Sequence, residues 1–333
     1  MQGHGHSLSQ TIRAVEWWEY KLSPPFATIY ATAFLLGIPI LSLWRLLLLA
    51  LIALIPGAAY VSVINDLTDL KDDVASGKGN RLNGRSKAFV ALLLMGCVLP
   101  GIFVSIHWRN DPLVLFLYLA AWLAFSLYSL PPARLKKRGV LGILADASGA
   151  HLFPTLLVVT LVVHGTGNPI DLVWFCAVAV WSLSSGLRGI LWHQLSDLHN
   201  DEKIGLRTFA LRHQGLALQR LGNFIVFPAE ILAFAVMLGY ARSYFAFGFL
   251  FIYVLFVWLR RKRRQVVLVI VVPKTRYRIA MHEYYEVFYP LAFLLSSSLQ
   301  HPADAFIIIA HLLLFPRRAR QLLKDLFQVL GIS

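Results

Sequence analysis

Two acidic clusters punctuate an otherwise apolar chain, and each stands where a long hydrophobic run ends. The first reads Asn65-Asp66-Leu67-Thr68-Asp69-Leu70-Lys71-Asp72-Asp73, the second Asp197-Leu198-His199-Asn200-Asp201. On a helix Asp66, Asp69 and Asp73, at i, i+3 and i+7, share one face, and Asp197 and Asp201, at i and i+4, share another. Carboxylates crowded this closely repel one another unless a cation neutralises them. Mg²⁺ is commonly held by a few carboxylates together with substrate phosphates. Two such clusters at a membrane surface point to a Mg²⁺-held phosphate or diphosphate with a lipid tail.

The elements that must position these clusters are membrane helices. Of 333 residues, 58% are hydrophobic and only 14% charged, and the mean hydropathy is +0.65; soluble domains carry roughly 25% charge. Apolar stretches near the ~20 residues needed to cross a bilayer recur along the chain. They predict spans near 25–42, 44–64, 87–107, 112–131, 140–163, 170–194, 216–240 and 243–259, with apolar helix again over 284–315. His301, Pro302 and Asp304 stand inside the last stretch, making it either one tilted span or two short ones. The expected fold is an all-α membrane protein of about nine, or ten, transmembrane helices. The expected organisation is a flexible start (1–20), a transmembrane domain (21–315) and a basic tail (316–333). The polar, aromatic first 20 residues lack the apolar core of a cleavable leader. Cys97 and Cys176 lack metal-type spacing and read as buried small hydrophobes.

The net charge of +14 would suit a nucleic-acid binder, but its distribution argues for a membrane. With the N-terminus inside, one side carries Arg13 and Lys21, the 71–87 segment, Arg134 to Arg138, Lys203 to Arg220, and Arg260 to Arg278. The opposite side carries only Arg45, Arg109 and Arg242. This asymmetry is the positive-inside rule, and it places both acidic clusters at the cytoplasmic face of what we expect to be a bacterial cell membrane. The Arg260–Arg264 run reads as an anchor to anionic membrane lipids.

Three segments together resemble the UbiA superfamily of intramembrane prenyltransferases. Asn65-Asp66-x-x-Asp69-x-x-x-Asp73 has the form NDxxDxxxD, and Asp197-x-x-x-Asp201 runs into Glu202-Lys203-Ile204-Gly205-Leu206-Arg207-Thr208. Between them lies Tyr128-Ser129-Leu130-Pro131-Pro132-Ala133-Arg134-Leu135-Lys136-Lys137. Each motif is weak alone; all three in order, each at the cytoplasmic end of an even-numbered span, are specific. The resemblance implies a central cavity under a cytoplasmic cap. It implies Mg²⁺ held by Asp66, Asp69, Asp73, Asp197 and Asp201, an isoprenoid diphosphate donor and a hydrophobic acceptor. Asn65, Lys78, Arg81, Tyr128, Arg134, Lys136, Arg188, Lys203 and Arg207 are the candidates to contact the substrate. One departure is Arg81-Leu82, where many members have Arg-Pro.

Ionisable groups inside the predicted spans are costly and mark candidate sites. Asp146 is a candidate to deprotonate or orient an acceptor. Arg188 is a candidate either to reach the diphosphate or to pair with a carboxylate. His151, His193 and Glu230 are the other ionisable groups of the fifth to seventh spans. Glu283 and Glu286 are expected to pair with Arg276 or Arg278. Trp122, Phe125, Trp174, Trp181 and Trp192 are candidates to line the cavity, where ring faces would stabilise an allylic cation.

The leading expectation is a Mg²⁺-dependent transfer of a polyprenyl group from its diphosphate to an aromatic or lipid-like acceptor, with a quinone-type acceptor weakly favoured. A phosphoribosyltransferase acting on a polyprenyl phosphate would share the metal sites but not the donor. A lipid-binding or transport protein would keep the fold without turnover.

Overall fold

Short polar side chains placed just ahead of apolar runs start several of the helices. Ser86 accepts a hydrogen bond from the Phe89 amide (3.2 Å), Asp111 from Val114 (3.1 Å), Asp171 from Trp174 (2.9 Å) and Ser243 from Ala246 (3.2 Å). Each satisfies a first-turn N–H that the helix itself leaves open. At Asp111, burial would raise the carboxyl's pKa, but hydrogen bonds from His164 and the helix amides outweigh it and hold the group below its ordinary value.

The computed structural model describes residues 7–203, 215–272 and 276–331, apart from the side chains of 197–203. After a short turn at Leu8–Thr11, the helices are α1 (Ala14–Leu35), α2 (Trp44–Ala75), α3 (Lys87–His107), α4 (Pro112–Ser129) and α5 (Val140–Gly165). They continue with α6 (Leu172–Lys203), α7 (Leu216–Ala241), α8 (Tyr244–Arg264), α9 (Tyr289–Gln300), α10 (Ala305–Leu314) and α11 (Pro316–Leu330). Two three-residue strands, β1 (Val267–Val269) and β2 (Tyr277–Ile279), pair in parallel with Val267 opposite Tyr277. Among the described residues, seven helical segments are long and apolar enough to cross a membrane, which makes this a multi-pass membrane protein.

Several expected boundaries agree with the helices, notably 87–107 with α3 and 216–240 with α7. The first helix differs. It runs from Ala14 to Leu35 rather than over 25–42, because Gly37 takes a left-handed φ of 68° that stops it before Pro39. The last apolar stretch is broken at Gln300. Asp304 fixes the break: its carboxylate accepts from the Ile40 and Leu41 amides (2.9 and 2.7 Å) and from the Ser297 hydroxyl (2.5 Å). Cys97 is buried as expected, but Cys176 is exposed, since it lies on an outward face of α6.

In a bilayer the packing between helices comes from close contact rather than from excluded water, and small residues permit it. At Gly186 on α6 a Cβ would stand 2.9 Å from the Ala147 carbonyl of α5. The α1 helix is mostly buried at the centre of the bundle. Its Glu19 holds the start of α11, accepting from the Arg317 and Arg318 amides at 2.7 and 2.6 Å.

Candidate active site

The first acidic motif occupies the last three turns of α2, which extends well past its expected apolar span. Each motif carboxylate has a different partner from a different part of the chain. Asp66 is buried, and its Oδ1 pairs with the Arg13 guanidinium just ahead of α1. Asp69 Oδ1 accepts from Arg134 (2.9 Å) and from Lys136 (2.5 Å). Asp73 accepts from Asn80 (2.8 Å), whose amide also donates to the Asp66 carbonyl (2.8 Å) and so folds the 76–86 loop back over the motif. The Asn65 side chain accepts from the Ser129 hydroxyl, tying α2 to the end of α4.

The loop after α4 is shaped to bring its cations to this face. Arg134 adopts a left-handed φ of 36°, and a 3₁₀ turn over Leu135–Lys137 follows. From there Arg134 also donates to the Thr68 carbonyl (3.0 Å) and to Asp72 (3.1 Å), and Lys137 reaches Asp72 at 3.3 Å. Gly142 lets α5 approach the loop: a Cβ there would lie 2.5 Å from the Leu135 carbonyl oxygen, a clash no backbone tolerates. Burial pulls the Lys136 ammonium below the ordinary lysine value, and its contact with Asp69 offsets this only in part.

Arg81 pairs with Glu16 of α1 at 2.5 Å. The departure at Leu82 has a structural consequence, because its amide donates to Asn80 Oδ1 (3.0 Å), a bond a proline could not make. Lys78 is exposed at the loop tip, with no ion pair among the described residues. Tyr128 lies on the last turn of α4, half-buried beside Ser129. The helix carrying the second motif continues to Lys203, but the side chains of Asp197, Asp201 and Lys203, and all of Arg207, lie outside the described residues.

Arg188 sits elsewhere. Fully buried on α6, it grips Glu230 of α7 through two hydrogen bonds of 2.6 and 2.7 Å. Within the bundle a narrow cavity of about 20 Å³ is lined by Tyr20, Lys21, His151, Trp181, His282 and Tyr285, with Lys21 Nζ 2.8 Å from His151 Nε2. Of the aromatic candidates, Trp181 lines this cavity. Trp174 instead donates to Thr32 (3.0 Å), and Trp122 packs on Tyr60. Glu283 pairs with Arg260 (2.8 Å) and Arg278 (3.4 Å), and Glu286 pairs with Arg318 (2.7 Å) rather than with Arg276 or Arg278.

Sequence reasoning missed Arg13, Glu16 and Asn80 as parts of the site. Arg13 and Asp66 stand 53 positions apart, and no local pattern links them. Asn80 carried a weak signal, as a turn-forming residue seven positions from Asp73 in a Gly-rich loop.

Among the described residues no three His, Cys, Asp or Glu side chains converge closely enough to hold a metal ion. The first motif nevertheless supplies the hard oxygen donors that Mg²⁺ takes. Asp66 Oδ2 is buried without a hydrogen-bond partner, an oxygen that a cation would satisfy. The residues therefore fit the ion, and Asp66 and Asp69 also form ion pairs with Arg13, Arg134 and Lys136.

The UbiA prenyltransferase family matches residues 26–267, and the chain belongs to that family, which makes it an enzyme of the prenyltransferase class. No curated protein matches the sequence. Among solved structures, a UbiA homolog from Archaeoglobus fulgidus bound to GPP and Mg²⁺ is similar, with 14% identity and a TM-score of 0.54 over 89% of this chain and 99% of that one. The same homolog bound to DMAPP and Mg²⁺ gives 15% identity and a TM-score of 0.50 over 98% and 99%. Bound to Cd²⁺ it gives 14% and 0.54 over 88% and 98%. At these identities the likeness is one of fold.

Proposed function

We propose that the protein transfers a polyprenyl group from its diphosphate to an aromatic or lipid-like acceptor, with Mg²⁺ held between the acidic motifs of α2 and α6. The carrying observation is the face of α2 where Asp66, Asp69 and Asp73 meet Arg13, Arg134, Lys136 and the Asn80 loop. The solved relatives carry GPP or DMAPP together with Mg²⁺, which supports the donor class. Bound Mg²⁺ supplies neutralisation of the diphosphate charge.

This chain's own residues supply the rest. Arg134 and Lys136 are positioned to exchange part of their contact with Asp69 for the diphosphate oxygens. They would hold those oxygens as negative charge develops on the leaving group. Asn65, fixed by Ser129, keeps the motif face in register, and the Asn80 loop covers it. Lys78, Arg81 and Tyr128 are further contacts proposed for the diphosphate, and the sequence motif adds Lys203 and Arg207, whose side chains lie outside the described residues. Lys21 and His151, within the bundle, are placed to orient an acceptor or take up its proton. The motif face is assigned to the cytoplasmic side on the strength of the charge asymmetry.

The test is incubation of the purified full-length protein with radiolabelled geranylgeranyl diphosphate, Mg²⁺ and host lipid extract. Label in a new extractable product supports the reading. Intact donor, despite measured donor binding, overturns it.

A further inference from the structure

A second cavity, lined by none of the first motif's residues, lies between the end of α8, the β-ribbon and α11 and shares His282 and Glu286 with the narrow cavity within the bundle. It measures about 610 Å³, within the roughly 300–1,000 Å³ of small-molecule sites. Most of its lining falls beyond the residues matched by the family.

Its charges do not balance. Five arginines line it against three carboxylates, an excess of two positive charges. The carboxylates are already engaged. Asp325 of α11 meets Arg260 and Arg278, both at 3.0 Å, Glu283 meets the same two arginines, and Glu286 meets Arg318. Two guanidiniums are left over. Arg264 donates to the neutral Gln328 side chain (2.9 Å), and among the described residues neither it nor Arg276 meets a carboxylate. The floor is built rather than incidental. Arg260 is 3% exposed and held from two elements, and His282 Nε2 is buried there without a hydrogen-bond partner.

Arg264 and Arg276 are themselves exposed, but they border a half-open cavity flanked by the C-terminal helix and floored by the buried Arg260, which a plain lipid anchor would not need. Guanidinium forks match the oxygens of phosphates and carboxylates, but a carboxylate would neutralise only one of the two free charges. We propose that this cavity binds a phosphate monoester dianion, supplied either by a lipid headgroup or by a soluble phosphorylated molecule. The proposal does not depend on the transfer reaction.

The test uses the full-length protein in phosphatidylcholine nanodiscs. One arm titrates glycerol 3-phosphate by calorimetry. The other incorporates phosphatidic acid or phosphatidylglycerol and measures bound lipid by native mass spectrometry. Saturable binding is expected in at least one arm, weakened at least tenfold in the Arg264→Gln/Arg276→Gln variant. It should be unchanged in Arg45→Gln/Arg109→Gln. Binding of glycerol 3-phosphate identifies a soluble ligand, and binding of phosphatidic acid alone identifies a lipid headgroup. The proposal is overturned if neither phosphomonoester binds, if the double variant binds like the wild type, or if singly charged phosphatidylglycerol binds as well as phosphatidic acid.

Discussion

Lys136 Nζ lies 2.5 Å from Asp69 Oδ1, so a cation of the middle loop directly neutralises a carboxylate of the first motif. The two groups are in contact before any substrate arrives, and Arg134 shares the same oxygen at 2.9 Å. In the proposed reaction donor binding loosens this cluster and leaves the cations to follow charge as it moves onto the leaving group. Arg134→Ala and Lys136→Ala should therefore lower kcat more than they weaken donor binding, by roughly a hundredfold, on the order of 3 kcal/mol. Arg138 donates to the Pro132 carbonyl (2.9 Å) and pairs with no motif carboxylate among the described residues. Steady-state kinetics of Arg138→Ala should be close to wild type, and equal losses in all three variants would reduce the cluster to a membrane anchor.

Metal dependence follows from the carboxylate face. Asp66→Ala and Asp197→Ala should abolish transfer, and Asp66→Asn, which keeps the volume of the buried side chain beside Arg13, should do so while the protein remains inserted and folded. EDTA should abolish transfer reversibly, with Mg²⁺ restoring it. Activity assays paired with size-exclusion profiles check both expectations, and full activity in chelated protein would refute the metal assignment.

Much of the bundle is legible because membrane helices announce themselves by long apolar runs, as at Lys87–His107. The motif carboxylates are legible for a related reason: five acids are conspicuous in a chain with so few charges. Their partners are not. Arg13 and Glu16 read as ordinary basic and acidic residues before the first span, and only the folding of α1 against α2 brings them to Asp66 and Arg81. The β-ribbon was equally hidden, since Val266 to Val272 is an apolar run too short to separate strand from helix by period. Glu286 illustrates the same limit at the other end of the chain, because its partner Arg318 comes from α11, beyond the last apolar stretch.

A distinctive alkaline limb is expected from Lys136. Burial lowers its pKa below the ordinary 10.5, so it loses its charge at a pH where an exposed lysine would keep it. Activity that depends on the charged form should be present below the folded-state pKa and fall as pH rises through it. Stability moves the other way. Between the folded and unfolded values the unfolded chain binds more protons, so this group makes folding more favourable as pH rises. Loss of rate without loss of folded protein would therefore isolate the catalytic effect. In Lys136→Arg, which stays charged, the limb should move to higher pH, and an unchanged pH–rate profile would exclude Lys136 from the reaction.

The buried pair between Arg188 and Glu230 separates a structural from a substrate-binding role for a residue that could serve either. Both side chains are fully buried and doubly hydrogen-bonded, which locks α6 to α7. Removing one partner strands the other charge, so Glu230→Gln and Arg188→Met should each destabilise the protein by about 3–5 kcal/mol. Replacing both by apolar residues, as in Arg188→Met/Glu230→Leu, removes both charges together and should recover most of the loss. Thermal unfolding in detergent measures the stability, and the transfer assay measures the rest. A double variant that is stable and active makes the pair a helix lock. A double variant that regains stability yet loses donor affinity instead places Arg188 in contact with the diphosphate.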